Sequence, residues 1–142
     1  MNTTIRWTTW CLYALAAFQL LIAVLLILDW DDTVTSFAGE SFAPTRDAAE
    51  GAAVGSLGIH VLLAIFYTVV AARLPAGRRG TRVRATILLS LTVVGGLVTL
   101  FAIADETPLN PVGIVLAAAT LVLLWLPAQS RAHFARVPAT TL

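Results

Sequence analysis

The sequence predicts an all-α integral membrane protein, a bundle of four transmembrane helices with both termini in the cytoplasm. Apolar residues make up 58% of the chain, charged residues only 12%, and the mean hydropathy is +0.87. Soluble domains average roughly 45–50% apolar and about 25% charged residues. No segment alternates polar and apolar residues, as the wall of a membrane β-barrel does. The predicted helices are therefore expected to be surrounded by lipid.

Four apolar segments each approach or exceed the roughly 20 residues that cross about 30 Å of hydrocarbon as a helix. The first follows Arg6, and it is longer than the roughly 7–15 apolar residues of a removable signal peptide, so we expect it to be retained. We expect one membrane domain over residues 1–142, with an outer loop at 29–47 and an Arg-rich inner loop at 73–84. The predicted helices cover about 7–28, 48–72, 85–104 and 109–126.

Two predicted helices carry start signals. Thr45 precedes Arg46 and Asp47, so its hydroxyl is placed to accept a hydrogen bond from an N–H group of the first turn. The helix dipole also favours an acid in that turn. Asn110 followed by Pro111 gives the last helix a capping residue and a proline at its first position.

The charged residues sort by side of the membrane. Arginines occur before the first helix, in the inner loop and after the fourth helix, and none of these three regions contains an acid. The outer loop is acidic, and so is the short link at 105–108. Because arginine in short loops marks the cytoplasmic face, the termini and the inner loop are predicted to lie inside. The arginines concerned are Arg6, Arg73, Arg78, Arg79, Arg82, Arg84, Arg131 and Arg136.

The arginines of the inner loop are expected to contact anionic lipid headgroups, at about 1 kcal/mol for each residue near the surface. Gly77 and Gly80 flank two of them, but this turn follows no strand, so it is not a phosphate-binding glycine loop. Binding to nucleic acid is not predicted. The expected lipid contacts are Arg73, Arg78, Arg79, Arg82 and Arg84.

Asp29, Asp31 and Asp32 crowd the end of the first predicted helix, where the dipole disfavours each carboxylate by about 0.3–1 kcal/mol. Three arrangements offset this: the helix stops at Asp29, Arg46 folds back onto the acids, or their oxygens bind calcium or magnesium. The spaced calcium-loop signature is missing, so solvated acids are favoured over a metal site. A similar acidic exit at 105–107 is compatible with a parallel internal repeat.

Two polar residues near the middle of the membrane are the sharpest functional candidates. Gln19 lies some 18 Å along its helix from Trp7, and His60 lies about as far from Arg73, so both are predicted at one depth. Unpaired polar groups are costly in hydrocarbon and usually face the bundle interior. We therefore predict a hydrogen bond between Gln19 and His60.

Further polar and small residues follow the same helices. Ser56 shares the stripe of His60, Thr92 supplies a polar group on the third helix, and depth counting matches Tyr13 with Tyr67. An adjacent face of the second helix carries glycines at a spacing that lets backbones approach closely. This face indicates a second copy or another membrane protein as partner. The glycines are Gly51, Gly55 and Gly58.

A structural role for His60, joining two helices at about 0.6 kcal/mol per contact, is favoured over a chemical one. A proton relay lacks an acid within any span. A haem lacks a second axial ligand unless another subunit supplies it, because His133 lies in the tail. The lone Cys11 forms no redox pair. We therefore expect no cofactor and no catalytic residues.

The segment 125–134 combines a helix end, a proline stop and an SRxxF-like tail. With four spans, abundant Ala, Val and Leu, and basic residues that are all arginine, the chain resembles small four-span membrane proteins of high-GC Gram-positive bacteria. That resemblance implies a bacterial plasma membrane and carries across no activity. Small multidrug exporters are similar in size, but they hold a membrane-embedded glutamate where this chain has Gln19.

These observations favour a non-enzymatic accessory or interaction subunit of a membrane complex. The alternative is a small dimeric transporter or channel with a polar midplane site at Gln19 and His60.

Overall fold

The computed structural model of the chain describes residues 3–102 and 110–135. Within these ranges all regular secondary structure is helical, and there is no strand, so the prediction of an all-α chain is confirmed. The helices are α1 (Thr3–Leu28), α2 (Trp30–Phe37), α3 (Arg46–Arg73), α4 (Arg79–Ala102), α5 (Asn110–Trp125) and α6 (Ala128–Ala135), and a 3-10 turn covers Leu74–Ala76.

In the part of the chain that the structure describes, three helical segments are long and apolar enough to cross a membrane: Thr3–Leu28, Arg46–Ala76 and Arg79–Val98. A fourth is added if Pro111–Trp125 and Ala128–Ala135, which are bent by 64°, count as one broken span. Only 28%, 22% and 17% of the most apolar windows of the three segments are buried inside the protein. Helices that expose apolar side chains around most of their circumference are typical of membrane proteins.

The chain divides into two compact units, which we call the terminal unit and the internal unit. The terminal unit contains Met1–Leu15 and Tyr67–Leu142, and the internal unit is Ala16–Phe66. In the terminal unit α4 packs against α5, and α6 contacts both of these helices. The internal unit has a small apolar core at its charged end. That core consists of Val34, Ala43, Ala49 and Ala53, with Trp30, Phe37 and Ala48 packed against it.

The segment predicted as the outer loop, 29–47, contains a short helix, because α2 occupies Trp30–Phe37. Trp30, Val34 and Phe37 recur at helical spacing, and this stripe packs onto the small core. The remaining positions of α2 are mostly polar and exposed. So short an amphipathic helix has too few apolar residues to resemble a span, and hydropathy alone therefore assigned it to a loop.

The segment predicted as the inner loop, 73–84, includes the end of α3 and the start of α4. α3 continues to Arg73 and α4 already begins at Arg79, which leaves a tight turn between them. Gly77 ends the 3-10 turn with φ +68°, a left-handed conformation that glycine adopts without steric cost. Arginine is a strong helix former, so α4 extends as a helix beyond its apolar part. Hydropathy located the apolar boundary, which differs from the helix boundary.

The remaining boundaries agree more closely with expectation. Thr45 is confirmed as the cap of α3, because its Oγ1 accepts the N–H of Ala48 at 3.2 Å. α5 begins at Asn110, one residue earlier than a capping role implies, which is an ordinary difference in helix assignment. The predicted link at 105–108, positions 103, 104 and 109, and Arg136 lie outside the described residues.

Candidate functional site

The predicted pair of Gln19 and His60 forms within the internal unit, between α1 and α3. His60 Nδ1 lies 2.5 Å from Gln19 Oε1. Because an amide oxygen only accepts hydrogen bonds, the proton lies on Nδ1 of the imidazole and His60 donates. Gln19 is 5% exposed and His60 is partly buried. The hydrogen bond expected from matching depths is therefore confirmed.

The other two midplane candidates do not complete this pair into a larger polar site. Ser56 lies one turn before His60 and is partly buried, but within the described residues it makes no hydrogen bond to either member of the pair. Thr92 belongs to the terminal unit, where it has a different partner. The pair can thus hold α1 and α3 together and present one imidazole nitrogen, Nε2, as an acceptor.

A second polar contact between helices was missed by sequence reasoning. The buried Tyr67 of α3 hydrogen-bonds Thr92 of α4 through their hydroxyl groups. Since Thr92 Oγ1 also donates to the carbonyl of Leu88 at 3.0 Å, the tyrosine hydroxyl is the donor to Thr92. Tyr13, which depth counting matched with Tyr67, instead places its ring edge-on to Trp10. Counted from residue 85, Thr92 lies about 10 Å into its predicted helix, close to the depth of Tyr67, so the signal was available.

Arg82, in the first turn of α4, contacts several helices of the terminal unit. Its Nη2 donates to the carbonyl oxygen of Leu124 at 3.0 Å. Its guanidinium carbon lies 3.8 Å from the centroid of the Trp125 ring and 5.2 Å from that of Phe134. A cation over an aromatic face is attracted by the ring quadrupole. Arg82 thus joins α4 to both α5 and α6.

Neighbouring hydroxyl groups extend this cluster. Trp125 Nε1 donates to Thr86 Oγ1 at 2.8 Å, and Thr86 in turn donates to the carbonyl of Arg82 at 2.9 Å. Ser130, fully buried in α6, donates to the carbonyl of Leu124 at 2.7 Å. The sequence predicts Arg82 among the lipid contacts. Pro127, which ends α5 and frees carbonyl groups near an arginine, was the available signal.

The remaining arginines predicted to contact headgroups are exposed, and the described parts of the terminal unit contain no Asp or Glu. Their guanidinium groups therefore have no carboxylate within the described terminal unit with which to pair. Such a surface suits an external anion. The exposed residues are Arg73, Arg78, Arg79 and Arg84.

The three acids that follow α1 lie at the start of a second helix, α2, where the helix dipole favours carboxylates. α1 ends at Leu28, so Asp29 takes the N-cap position of α2, and Asp31 and Asp32 fall in its first turn, where the dipole favours acids. Arg46 does fold back, with Nη2 3.7 Å from Asp31 Oδ1 and Nε 3.3 Å from Glu50 Oε1. Among the described residues, no three His, Cys, Asp or Glu side chains are grouped so as to hold a metal ion.

Comparisons with family models, with curated proteins and with solved structures found no match to this chain.

Proposed function

We propose that this protein is a small multi-pass protein of a bacterial plasma membrane that acts as a non-enzymatic accessory or interaction subunit of a membrane complex. Its three or four apolar helices support insertion into a bilayer. The distribution of arginines and acids supports an orientation with both termini and the turn at 74–78 in the cytoplasm. The exposed arginines support contact with anionic headgroups on that side.

The observation that carries the interaction role is the open glycine face of α3. A Cβ atom added to Gly51, Gly55 or Gly58 would meet no atom within 4 Å. Val54 and Ile59, which border these glycines, are 58% and 61% exposed. Apolar residues of another helix gain nothing from leaving lipid, so close backbone approach and van der Waals contact are what drive helices together in a membrane. The face fits a transmembrane helix, from a second copy or from a companion protein.

The test replaces Gly55 with isoleucine and compares the variant with Ala119→Ile, which places the same side chain at an exposed position of α5. Purification from the native membrane in mild detergent, followed by molecular-mass measurement and mass spectrometry, should recover a dimer or a companion protein. Gly55→Ile should lose that partner, while Ala119→Ile retains it. A monomer without a partner, or a partner that survives Gly55→Ile, contradicts the proposal.

The orientation has its own test. A single cysteine is introduced at Arg78 in a Cys11→Ala background, and a second variant carries it at Ser41, which is exposed in the acidic segment. A membrane-impermeant maleimide applied to intact cells should label position 41 and leave position 78 unlabelled until the membrane is opened. Labelling of position 78 from outside reverses the orientation.

A transporter or channel is the second candidate, because the hydrogen bond between Gln19 and His60 places an ionisable group within two long apolar helices. If the pair is only structural, a double-mutant cycle with Gln19→Leu and His60→Leu should give a coupling energy of about 0.6 kcal/mol, with about 1.7 as an upper value. If the pair conducts, His60→Ala should abolish flux in liposomes without unfolding the protein. Unchanged flux removes the transport alternative.

A further inference from the structure

Arg82 differs from every other arginine that the structure describes. Seven of the eight described arginines are exposed, whereas Arg82 is partly buried and uses its guanidinium group inside the protein. Its Nε is buried without a hydrogen-bond partner among the described residues. Such a group is retained only where its other contacts outweigh the loss of water. The difference between Arg82 and its neighbours therefore requires a role other than surface charge.

That role follows from the bend between α5 and α6. Pro127 has no N–H group and cannot continue a helix, and the two helices meet at 64°. The bend leaves carbonyl groups of the last turn of α5 without helical partners. The carbonyl oxygen of Leu124 instead accepts two hydrogen bonds, from Arg82 Nη2 at 3.0 Å and from Ser130 Oγ at 2.7 Å. One oxygen of α5 is thus bonded by both α4 and α6.

The turn at 74–78 contacts α6 as well. A Cβ atom on Gly77 would lie 3.2 Å from His133 Nε2 and 3.3 Å from the carbonyl oxygen of His133. Phe134, 5% exposed, lies under the Arg82 guanidinium and edge-on to His133. α6 is therefore fixed on two sides, by the glycine turn and by Arg82.

This placement of α6 gathers positive charge. Arg131 of α6 and Arg79 of α4 both act on Arg82 with like charge, and Arg78 and Arg84 are exposed nearby in sequence. Like charges so arranged repel one another, and no Asp or Glu in the described terminal unit offsets them. Anionic phosphates from outside the protein would relieve this repulsion.

We propose that Arg82 is a positioning residue that folds α6 back at Pro127, so that Arg131 joins the exposed arginines of the turn and of α4 in one surface that binds the phosphates of anionic lipid headgroups. This inference depends on the proposed membrane insertion. α6 lies along the membrane surface instead of continuing the span, and the lipid phosphate bridges arginines from two helices. Arg82 itself does not contact the lipid.

The first test measures the attachment of α6 in the detergent-solubilised full chain. Amide hydrogen exchange of the C-terminal peptides is compared in Arg82→Gln, Ser130→Ala and Arg84→Gln. Arg82→Gln should speed exchange in α6 by at least about tenfold, because one hydrogen bond to a charged donor and two ring contacts are lost. Ser130→Ala should act in the same direction with a smaller effect, and Arg84→Gln should leave α6 unchanged. Unchanged exchange in both Arg82→Gln and Ser130→Ala overturns the positioning role.

The second test measures binding of phosphatidylglycerol to the protein in neutral micelles, with phosphatidylcholine as the uncharged reference. Arg131→Gln and Arg84→Gln should each weaken binding about fivefold, which corresponds to about 1 kcal/mol, and their effects should multiply. Arg82→Gln should weaken binding as much as Arg131→Gln does. The variant that combines Arg82→Gln with Arg131→Gln should bind the lipid no more weakly than either single variant. If the fold-losses of lipid binding for Arg82→Gln and Arg131→Gln multiply in the combined variant, the proposal is overturned, because Arg82 would then bind lipid independently of Arg131.

A third arm separates lipid from a free anion. Inorganic phosphate added at millimolar concentration should not displace phosphatidylglycerol, whereas equal competition identifies a soluble phosphate site and overturns the lipid assignment. Failure of the proposed function gives a different pattern. A chain without a partner, or with the reversed orientation, leaves the exchange and lipid measurements in detergent unchanged.

Discussion

The acidic segment at 29–50 and the basic segment at 73–84 contain most of the charge of this chain, and they use it in opposite ways. In the acidic segment every carboxylate-bearing residue except Glu50 is exposed. Arg46 forms ion pairs with Asp31 and Glu50 that remain accessible to water. In the basic segment one residue, Arg82, is partly buried and donates a hydrogen bond to the carbonyl of Leu124, near the end of α5. Charge beside an apolar helix therefore does not by itself indicate a surface residue.

The physical reason is the neighbouring backbone. In the acidic segment, the start of α2 supplies free N–H groups, which favour carboxylates that stay in water. In the basic segment, the bend at Pro127 supplies free carbonyl groups, which need donors. Arginine has a long side chain with several donors, so Arg82 can reach such a carbonyl while its guanidinium group lies over the ring of Trp125. The comparison predicts a sensitive basic segment and a tolerant acidic one.

The largest effect is expected from Gly77→Ala in the basic segment. A left-handed backbone costs a residue with a side chain about 1–2 kcal/mol, and the new Cβ would press on His133 at 3.2 Å. We expect the free energy of unfolding, measured with SDS in mixed micelles, to fall by at least about 1 kcal/mol. Gly80→Ala is the control, because its Cβ would meet no atom within 4 Å and the change should stabilise α4 by up to about 1 kcal/mol. Equal effects of the two substitutions contradict a packed turn.

A smaller loss is expected from Thr45→Ala, which removes the only side-chain cap that the structure shows at the start of α3 within its described residues. Loss of such a cap typically costs about 1 kcal/mol. The same unfolding measurement should show that loss, with exchange of the first amides of α3 increased. Ser41→Ala, at an exposed position of the same segment, should change nothing. A Thr45→Ala variant with wild-type stability would show that packing of α2 on α3 suffices to start the helix.

The smallest effect is expected from Arg46→Gln. Its side chain is 72% exposed, and its partners Asp31 and Glu50 are 92% and 47% exposed. Solvent-exposed ion pairs contribute about 0–1 kcal/mol and are screened by salt. We expect a change of less than about 0.5 kcal/mol that vanishes in high salt. A loss as large as that of Gly77→Ala would end the distinction between the two segments.

Sequence reasoning recovered the features that depend on one-dimensional counts. The apolar segments predicted the long helices. Equal distances of Gln19 and His60 from the predicted cytoplasmic ends of their helices predicted the hydrogen bond between them. It failed where a helix is set by something other than hydropathy. α2 is amphipathic over only a few turns, and the start of α4 is polar but strongly helix-forming. The partly buried position of Arg82 depends on which carbonyl the bend at Pro127 leaves free, and no count along the chain provides that.

The helices also differ in reach, which matters for the surrounding lipid. The apolar stretch predicted at 7–28 in α1 would extend about 33 Å, whereas the 16 residues of α5 extend only about 24 Å. No single hydrocarbon thickness matches both lengths. In the proposed orientation we expect α1 to tilt and the bilayer to thin beside α5. Each adjustment costs a fraction of a kcal/mol of free energy per Å of mismatch. The protein should accordingly favour thinner, more deformable regions of its membrane, and the same local thinning would bring headgroups down towards α6.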